Sequence, residues 1–304
     1  MIGTRVVVAI VGVMVAAAVV AIPTPSAAQA LHPQWSPDGS AIAYYQRTDD
    51  SAAVIVALLE PAVRRQLTSG PGYAANPTWS PDGSRIAFAG APTGMRGVWD
   101  VFVLEAGYRG SDYVRPEPRP VTATPEREMH TSWSPDGEWI SFVRLTEAGT
   151  DVWAVRSDGT EIRQLTSTPE REFHPKWSPD GEAIAFDGGG EDSRDIYVLD
   201  VESGEIRRVT DTAEDKPAST PAWSPDGRRI AFSMGQGEEA DLYIIGADGS
   251  AQERLTALGG HSGAPYWSPD GTRIAFHSNF DGEWAIYVMN VEGGSGEQPT
   301  KVSR

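Results

Sequence analysis

Cysteine is absent from all 304 residues, which excludes disulfide stapling, a thiol nucleophile and a lipid attached to a leader cysteine. Positive charge is scarce as well. The 25 Lys and Arg face 42 Asp and Glu, a net charge of −17, which argues against nucleic acid or an anionic membrane as partner and leaves a basic protein, a cation or plain solubility. Catalytic signatures are also missing. Gly260-His261-Ser262-Gly263 lacks the spacing of a nucleophile elbow, and no phosphate-binding glycine loop occurs. The chain is therefore expected not to be an enzyme, and no cofactor and no resident metal are implied.

What the sequence does contain is a repeat. Trp-Ser-Pro-Asp-Gly is written six times, at Trp35, Trp79, Trp133, Trp177, Trp223 and Trp267, with intervals of 44, 54, 44, 46 and 44 residues. A period of this length fits a four-stranded antiparallel blade rather than a short-period solenoid, so the expected fold is all-β, a six-bladed β-propeller. After each motif comes a short apolar run such as Arg85-Ile86-Ala87-Phe88 or Arg273-Ile274-Ala275-Phe276, then a second such as Ile196-Tyr197-Val198, then a third signal such as Leu67-Thr68 or Leu255-Thr256. Counting the Trp-bearing segment, these read as strands A to D. The long second interval comes from insertions before Val101 and Val121, placed where surface connections tolerate them.

Within the motif, Ser, then Pro with its fixed φ, then Asp and Gly spell a type I turn ending in a left-handed residue. Asp38, Asp82, Asp136, Asp180, Asp226 and Asp270 are thus expected to stabilise turns rather than to ring a metal. The six tryptophans are expected to wedge neighbouring blades together, each ring covering about 150–250 Å².

Residues 1–30 read differently. Arg5, the apolar run Val6 to Ile22 and Ala28-Gln29-Ala30 describe a secretory leader with a small-x-small cleavage site. The run is at the short end of what spans a bilayer, so cleavage and release into the periplasm or medium are expected, with no membrane attachment afterwards, an uncleaved anchor being the alternative; residues 31–304 are left for the propeller, as a monomer.

The repeated Pro-x-Trp-Ser-Pro-Asp-Gly, Ile-Ala-Phe, Ile-Tyr-Val and Leu-Thr segments resemble those of TolB-type propellers, from His32 to about Thr300. That resemblance implies an interaction scaffold of the cell envelope. TolB proteins carry a further α/β domain before the propeller, whereas here the first motif begins shortly after the expected cleavage point, so a free-standing propeller is implied and contacts of that other domain do not carry over.

In a propeller the D-to-A and B-to-C connections share one face. On it fall Asp49, Asp50, Glu147, Asp187, Glu191, Asp192, Glu238, Glu239, Asp281 and Glu283, with Glu126, Glu128, Glu170, Glu172, Asp211, Glu214 and Asp215. Four of the five histidines belong there too. His32, His130 and His174 each precede a repeat Trp by three residues, and His261 lies in the last such loop. Thr124–His130 and Thr168–His174 are near copies, Thr-Pro-Glu-Arg-Glu-x-His, which repeat duplication alone would explain. Read functionally, His32, Glu128, His130, Glu172, His174 and His261 form a channel mouth that binds a protein or peptide. The alternative is a metal-dependent hydrolase or lyase with its site at that mouth. Asp100, Asp151, Asp195 and Asp241, one before each strand C, are expected to accept hydrogen bonds rather than to act as catalytic acids.

Overall fold

Each Ser-Pro-Asp-Gly turn closes as its residue order demands. The computed structural model describes residues 28–69, 72–91, 98–108, 113–190, 193–212, 216–292 and 298–302. In the first turn the Gly39 amide donates to the Ser36 carbonyl at 2.9 Å, Gly39 takes φ of +70°, and the Asp38 carboxylate accepts from the Ser36 hydroxyl at 2.7 Å and the Ser40 amide at 3.1 Å. The other five turns repeat this pattern, Ser80 with Asp82 at 2.5 Å and Ser224 with Asp226 at 2.6 Å among them. The six aspartates are turn acceptors, as expected. These bonds hold the carboxyls of Asp82 and Asp270 down to about 2.

Every turn joins a first strand to a second. The first strands are β1 (Gln29–Trp35), β5 (Tyr73–Trp79), β9 (Arg127–Trp133), β13 (Arg171–Trp177), β17 (Ala218–Trp223) and β21 (Ser262–Trp267). The second strands are β2 (Ala41–Arg47), β6 (Arg85–Ala91), β10 (Trp139–Thr146), β14 (Ala183–Gly189), β18 (Arg229–Met234) and β22 (Arg273–Ser278). Third come β3 (Ala52–Leu58), β7 (Asp100–Glu105), β11 (Gly149–Arg156), β15 (Arg194–Asp200), β19 (Asp241–Gly246) and β23 (Ala285–Asn290). The fourth are short: β4 (Val63–Gln66), β8 (Arg119–Pro120), β12 (Ile162–Gln164), β16 (Ile206–Arg208), β20 (Glu253–Arg254) and β24 (Thr300–Lys301).

β9–β12, β13–β16, β17–β20 and β21–β24 are four antiparallel four-stranded sheets. The first eight strands form one sheet, but its halves β1–β4 and β5–β8 meet only through a single parallel pair, Ala52 with Tyr73. The fold is all-β apart from one helical turn, Gly237–Glu239, among the described residues.

The fourth strands depart from expectation. The Leu-Thr pairs lie just past them, because the Thr hydroxyl ends the ladder: Thr68 Oγ1 accepts the Val54 amide at 2.9 Å, and Thr256 Oγ1 the Leu242 amide at 2.9 Å. A side-chain oxygen replaces the carbonyl that a longer strand would offer.

The core lies between successive sheets. Trp79 packs among Ala41, Val54 and Val56 of the first unit and Ile86 and Phe88 of its own; Trp133 does the same with Val101, Val103 and Phe142, and Trp267 with Leu242, Ile244 and Phe276. The inner ends of the series pack together in the same manner. Trp35, Ile42 and Tyr44 share a cluster with Ala275, Ile286 and Val302, and among the described residues no strand is exchanged between β1–β4 and β21–β24. Of the leader, residues 1–27 lie outside the described residues; Gln29 and Ala30 are already part of β1, and Ala30 is buried in that same cluster.

Candidate functional site: a histidine-lined channel mouth

The residue three before each Trp is a backbone outlier in every repeat. His32, Asn76, His130, His174, Thr220 and Ala264 take φ between +48° and +58°, and the register of each first strand slips there, as between Leu31 and Gln34. A left-handed bulge without glycine costs of order 1–3 kcal/mol. Its effect is to free the local amide and to turn the side chain toward the axis. The freed His32 amide donates to His277 Nδ1 at 3.2 Å, the Thr220 amide to Asp187 Oδ1 at 3.1 Å, and the Ala264 amide to Thr220 Oγ1 at 3.2 Å. Each bond reaches the preceding unit in the series, and that of His32 reaches the last.

All six bulged residues line one cavity of about 30 Å³, together with Gln34, Lys176 and Tyr266. That is room for about two waters. The imidazoles crowd it from opposite sides: His32 stacks on His174 at 5.7 Å between ring centres, His130 meets His174 edge-on at 4.0 Å, and His32 lies 5.3 Å from His277. His261 stacks on His277 at 5.5 Å, and Trp284 lies 5.1 Å from His261. The structure thus brings together His32, His130, His174 and His261, and adds His277.

Hydrogen bonds fix how several rings present themselves. His174 donates from Nδ1 to Asp187 Oδ1 at 2.7 Å, which fixes the orientation of its ring. His261 likewise donates from Nδ1 to the Gly237 carbonyl at 2.9 Å. His277 accepts at Nδ1, so its proton sits on Nε2. Gly263 makes room for the last two rings: a Cβ there would stand 2.8 Å from His261 Nε2 and 2.9 Å from His277 Nε2. Burial, reinforced by neighbouring imidazoles, pulls the pKa of His32 and His130 well below the usual histidine value and that of His277 to about 3. His261 is lowered by burial too, against a bond to a carbonyl that favours protonation. These are rings held neutral.

His277 and Asp187 were not among the residues singled out for the mouth by spacing from Trp. They share a different register, the residue after Ile-Ala-Phe, where Tyr45, Ala89, Val143 and Ser233 are the counterparts. One imidazole and one carboxylate among six copies of a position that faces the bulge are the signal that would have found them.

Glu128 and Glu172 are corrected. Both side chains are buried, 0% and 1% exposed, and they hold the loop that leads into the mouth instead of facing a partner. Glu128 accepts from Thr122, from Thr124 at 3.1 Å and from Arg144 at 2.7 Å. Glu172 accepts from Thr166, from Thr168 at 2.8 Å and from the Val152 amide at 3.2 Å. Burial pushes both carboxyls up, outweighing these donors. In the next two units the same threonines are met by Asp195 and Asp241, at 2.7 and 2.8 Å from Thr210 and Thr256. Those aspartates, and Asp100 with the Thr124 amide at 3.0 Å, accept hydrogen bonds as expected.

Of the acidic residues around the mouth, Asp49, Asp50, Glu147, Glu170, Glu238 and Glu239 are exposed. Asp211 pairs with Arg208 at 2.7 Å and Asp281 with Lys301 at 2.6 Å. Glu191, Asp192, Glu214 and Asp215 lie outside the described residues. Among the described residues no three His, Asp or Glu side chains are arranged to hold a metal ion, and no helix is long and apolar enough to cross a membrane.

Known structures share this architecture. A protein of Agrobacterium tumefaciens assigned as TolB superposes with a TM-score of 0.67 at 22% identity over 88% of this chain and 91% of its own. TolB from Acinetobacter baumannii gives 0.65 at 17% identity over 92% and 67%, and an oligogalacturonate lyase in complex with manganese gives 0.62 at 16% identity over 92% and 80%. At such identities the likeness is one of fold. No curated protein matches the sequence. The profile of the TolB beta propeller domain matches residues 18–219 and again 157–303, and together with the turn, bulge and Trp wedge repeated around one cavity this places the chain in the TolB beta propeller family.

Proposed function

We propose that this protein is an exported, non-enzymatic binding scaffold of the cell envelope: a six-bladed propeller, counting the halves of the eight-stranded sheet as two blades, that takes a segment of a protein partner at the histidine-lined mouth. The observation that carries this reading is the set of bulges. Six strained residues with no glycine among them all open on one mouth, and strain of this kind clusters at functional sites. Neutral imidazoles offer both donors and acceptors to a peptide backbone, and Trp284 offers an apolar platform beside them. The exposed acidic rim favours a basic partner and speeds its approach.

The reading is tested by immobilising the mature protein and its His130→Ala/His174→Ala variant and comparing what each retains from envelope extract. Expected is a partner held by the former and lost by the latter at matched melting temperature. Equal retention counts against the mouth as the binding surface. Export is tested by the intact mass of protein from the periplasm or medium, where loss of the leader is expected.

A second reading, a hydrolase or lyase acting at the mouth, is favoured by one feature: His174, oriented by buried Asp187, has the form of a general base. The donor set does not fit a metal-dependent version. Bound metal surviving dialysis, seen by elemental analysis, would restore it.

A further inference from the structure

Gln34, Lys176 and Tyr266 line the mouth cavity and also a second one, so they form the constriction between them. Beyond it the channel widens toward the Ser-Pro-Asp-Gly turns into about 240 Å³, walled by the six repeat tryptophans and the proline of each turn. No Asp or Glu lines either cavity, although the chain carries a net charge of −17. Lys176 supplies the ammonium. No carboxylate or hydrogen-bond partner for it occurs among the described residues, and the Tyr266 ring centre lies 6.0 Å from its Nζ. The titratable groups turned toward it are His32 from β1, His130 from β9, His174 from its own strand and Tyr266 from β21. Burial with nothing opposing it brings Lys176 down to about 8, so it remains mostly charged at neutral pH.

A second donor stands beside it. Gln34 Oε1 accepts the Trp79 amide at 2.8 Å, which fixes the carboxamide so that its Nε2 donates to the Tyr266 hydroxyl oxygen at 2.5 Å. That oxygen is used as an acceptor, and burial keeps the phenol protonated. Its own hydrogen is left to give.

We propose that this lower cavity binds the carboxylate of a small organic acid, with the Lys176 ammonium and the Tyr266 hydroxyl as its donors and the indole and proline walls around its apolar body. The walls disfavour a bare inorganic anion, which would lose hydration without finding enough donors. The volume suits a body of a few carbon atoms. The site opens at the other end of the channel from the proposed partner-binding mouth and needs none of its histidines, so either reading can fail alone.

Titration calorimetry and Trp fluorescence of the mature protein with hexanoate and with benzoate test it, with hexanamide and chloride as controls. Saturable binding of the carboxylates is expected at about millimolar Kd or tighter. Hexanamide and chloride should neither bind nor compete. Lys176→Met should weaken hexanoate at least about tenfold, Lys176→Arg should retain most of the affinity, and Tyr266→Phe should weaken it several-fold; if Lys176→Met fails to fold, the other two variants decide. Equal binding of amide and acid, indifference to Lys176→Met and Tyr266→Phe, or no saturation by either carboxylate would overturn the proposal. A short peptide whose free C-terminus outcompetes hexanoate by more than about tenfold, while its amidated form does not, would overturn the assignment to a small acid in favour of a chain end.

Discussion

Glu128 and Glu172 sit at one place in two nearly identical loops, yet different partners hold them. Arg144 reaches Glu128 from β10, and the corresponding position on β14 is Gly188. Glu128→Gln should therefore cost about 3 kcal/mol, since it leaves a buried guanidinium without its counter-charge. Glu172→Gln should cost under about 1 kcal/mol, because hydroxyl and amide donors are satisfied by a neutral oxygen as well. Urea denaturation of the two variants checks the contrast; equal losses would mean that Arg144 is not what Glu128 neutralises. The loop copies could be seen in the sequence, but not their burial. Burial depends on what packs around the loop from other strands, Arg144 beside Glu128 and the Val152 amide beside Glu172, and spacing within a loop does not report it. His277 and Asp187 each lie ten residues after a repeat Trp, and what that spacing does not show is that they face the bulges. They belong to β22 and β14, and they meet the bulges only through pairing across the sheet and between units.

At the scale of elements, one contact recurs between units. The first Arg of a second strand lies over the Trp of a neighbouring unit: Arg85 over Trp133 at 4.7 Å, Arg229 over Trp267 at 4.8 Å and Arg273 over Trp35 at 4.6 Å. The last of these joins the sixth unit to the first with the geometry used inside the series. Arg273→Ala and Arg85→Ala should therefore lower stability by similar amounts, about 1 kcal/mol each, read as the shift in denaturation midpoint. A far larger loss for Arg273 would show the closing contact to be a weak seam instead of one more copy. First, second and third strands were legible because alternation, β-branched residues and the turn all agree. Fourth strands were displaced, since the Leu-Thr signal marks where a threonine hydroxyl terminates the ladder, at Thr68 and Thr256 alike. Pairing of β3 with β5 through Ala52 and Tyr73 has no sequence signature, and it turns two expected sheets into one.

For the whole molecule, the buried imidazoles govern the response to acid. His32, His130, His261 and His277 have folded pKa values below the 6.5 of the unfolded chain, so the unfolded state takes up protons that the folded one refuses. Stability should fall as pH drops below 6.5, with His277 alone contributing about 1.4 kcal/mol per pH unit until its folded pKa of about 3 is reached. Asp82 and Asp270 act in the same direction lower down. Their stabilisation is present above the ordinary 3.8 and lost as pH falls toward 2. Thermal melts between pH 7 and 4 should show Tm falling, and His277→Asn, which keeps an acceptor for the His32 amide, should make the decline shallower. An unchanged slope in that variant would mean His277 is not held neutral.

Capture from envelope extract by the mature protein and by His130→Ala/His174→Ala, compared quantitatively at equal folded concentration, bears most directly on whether the mouth is a binding surface. The account predicts at least one protein retained at least about tenfold less by the variant. The same proteins retained to the same extent by both would contradict it.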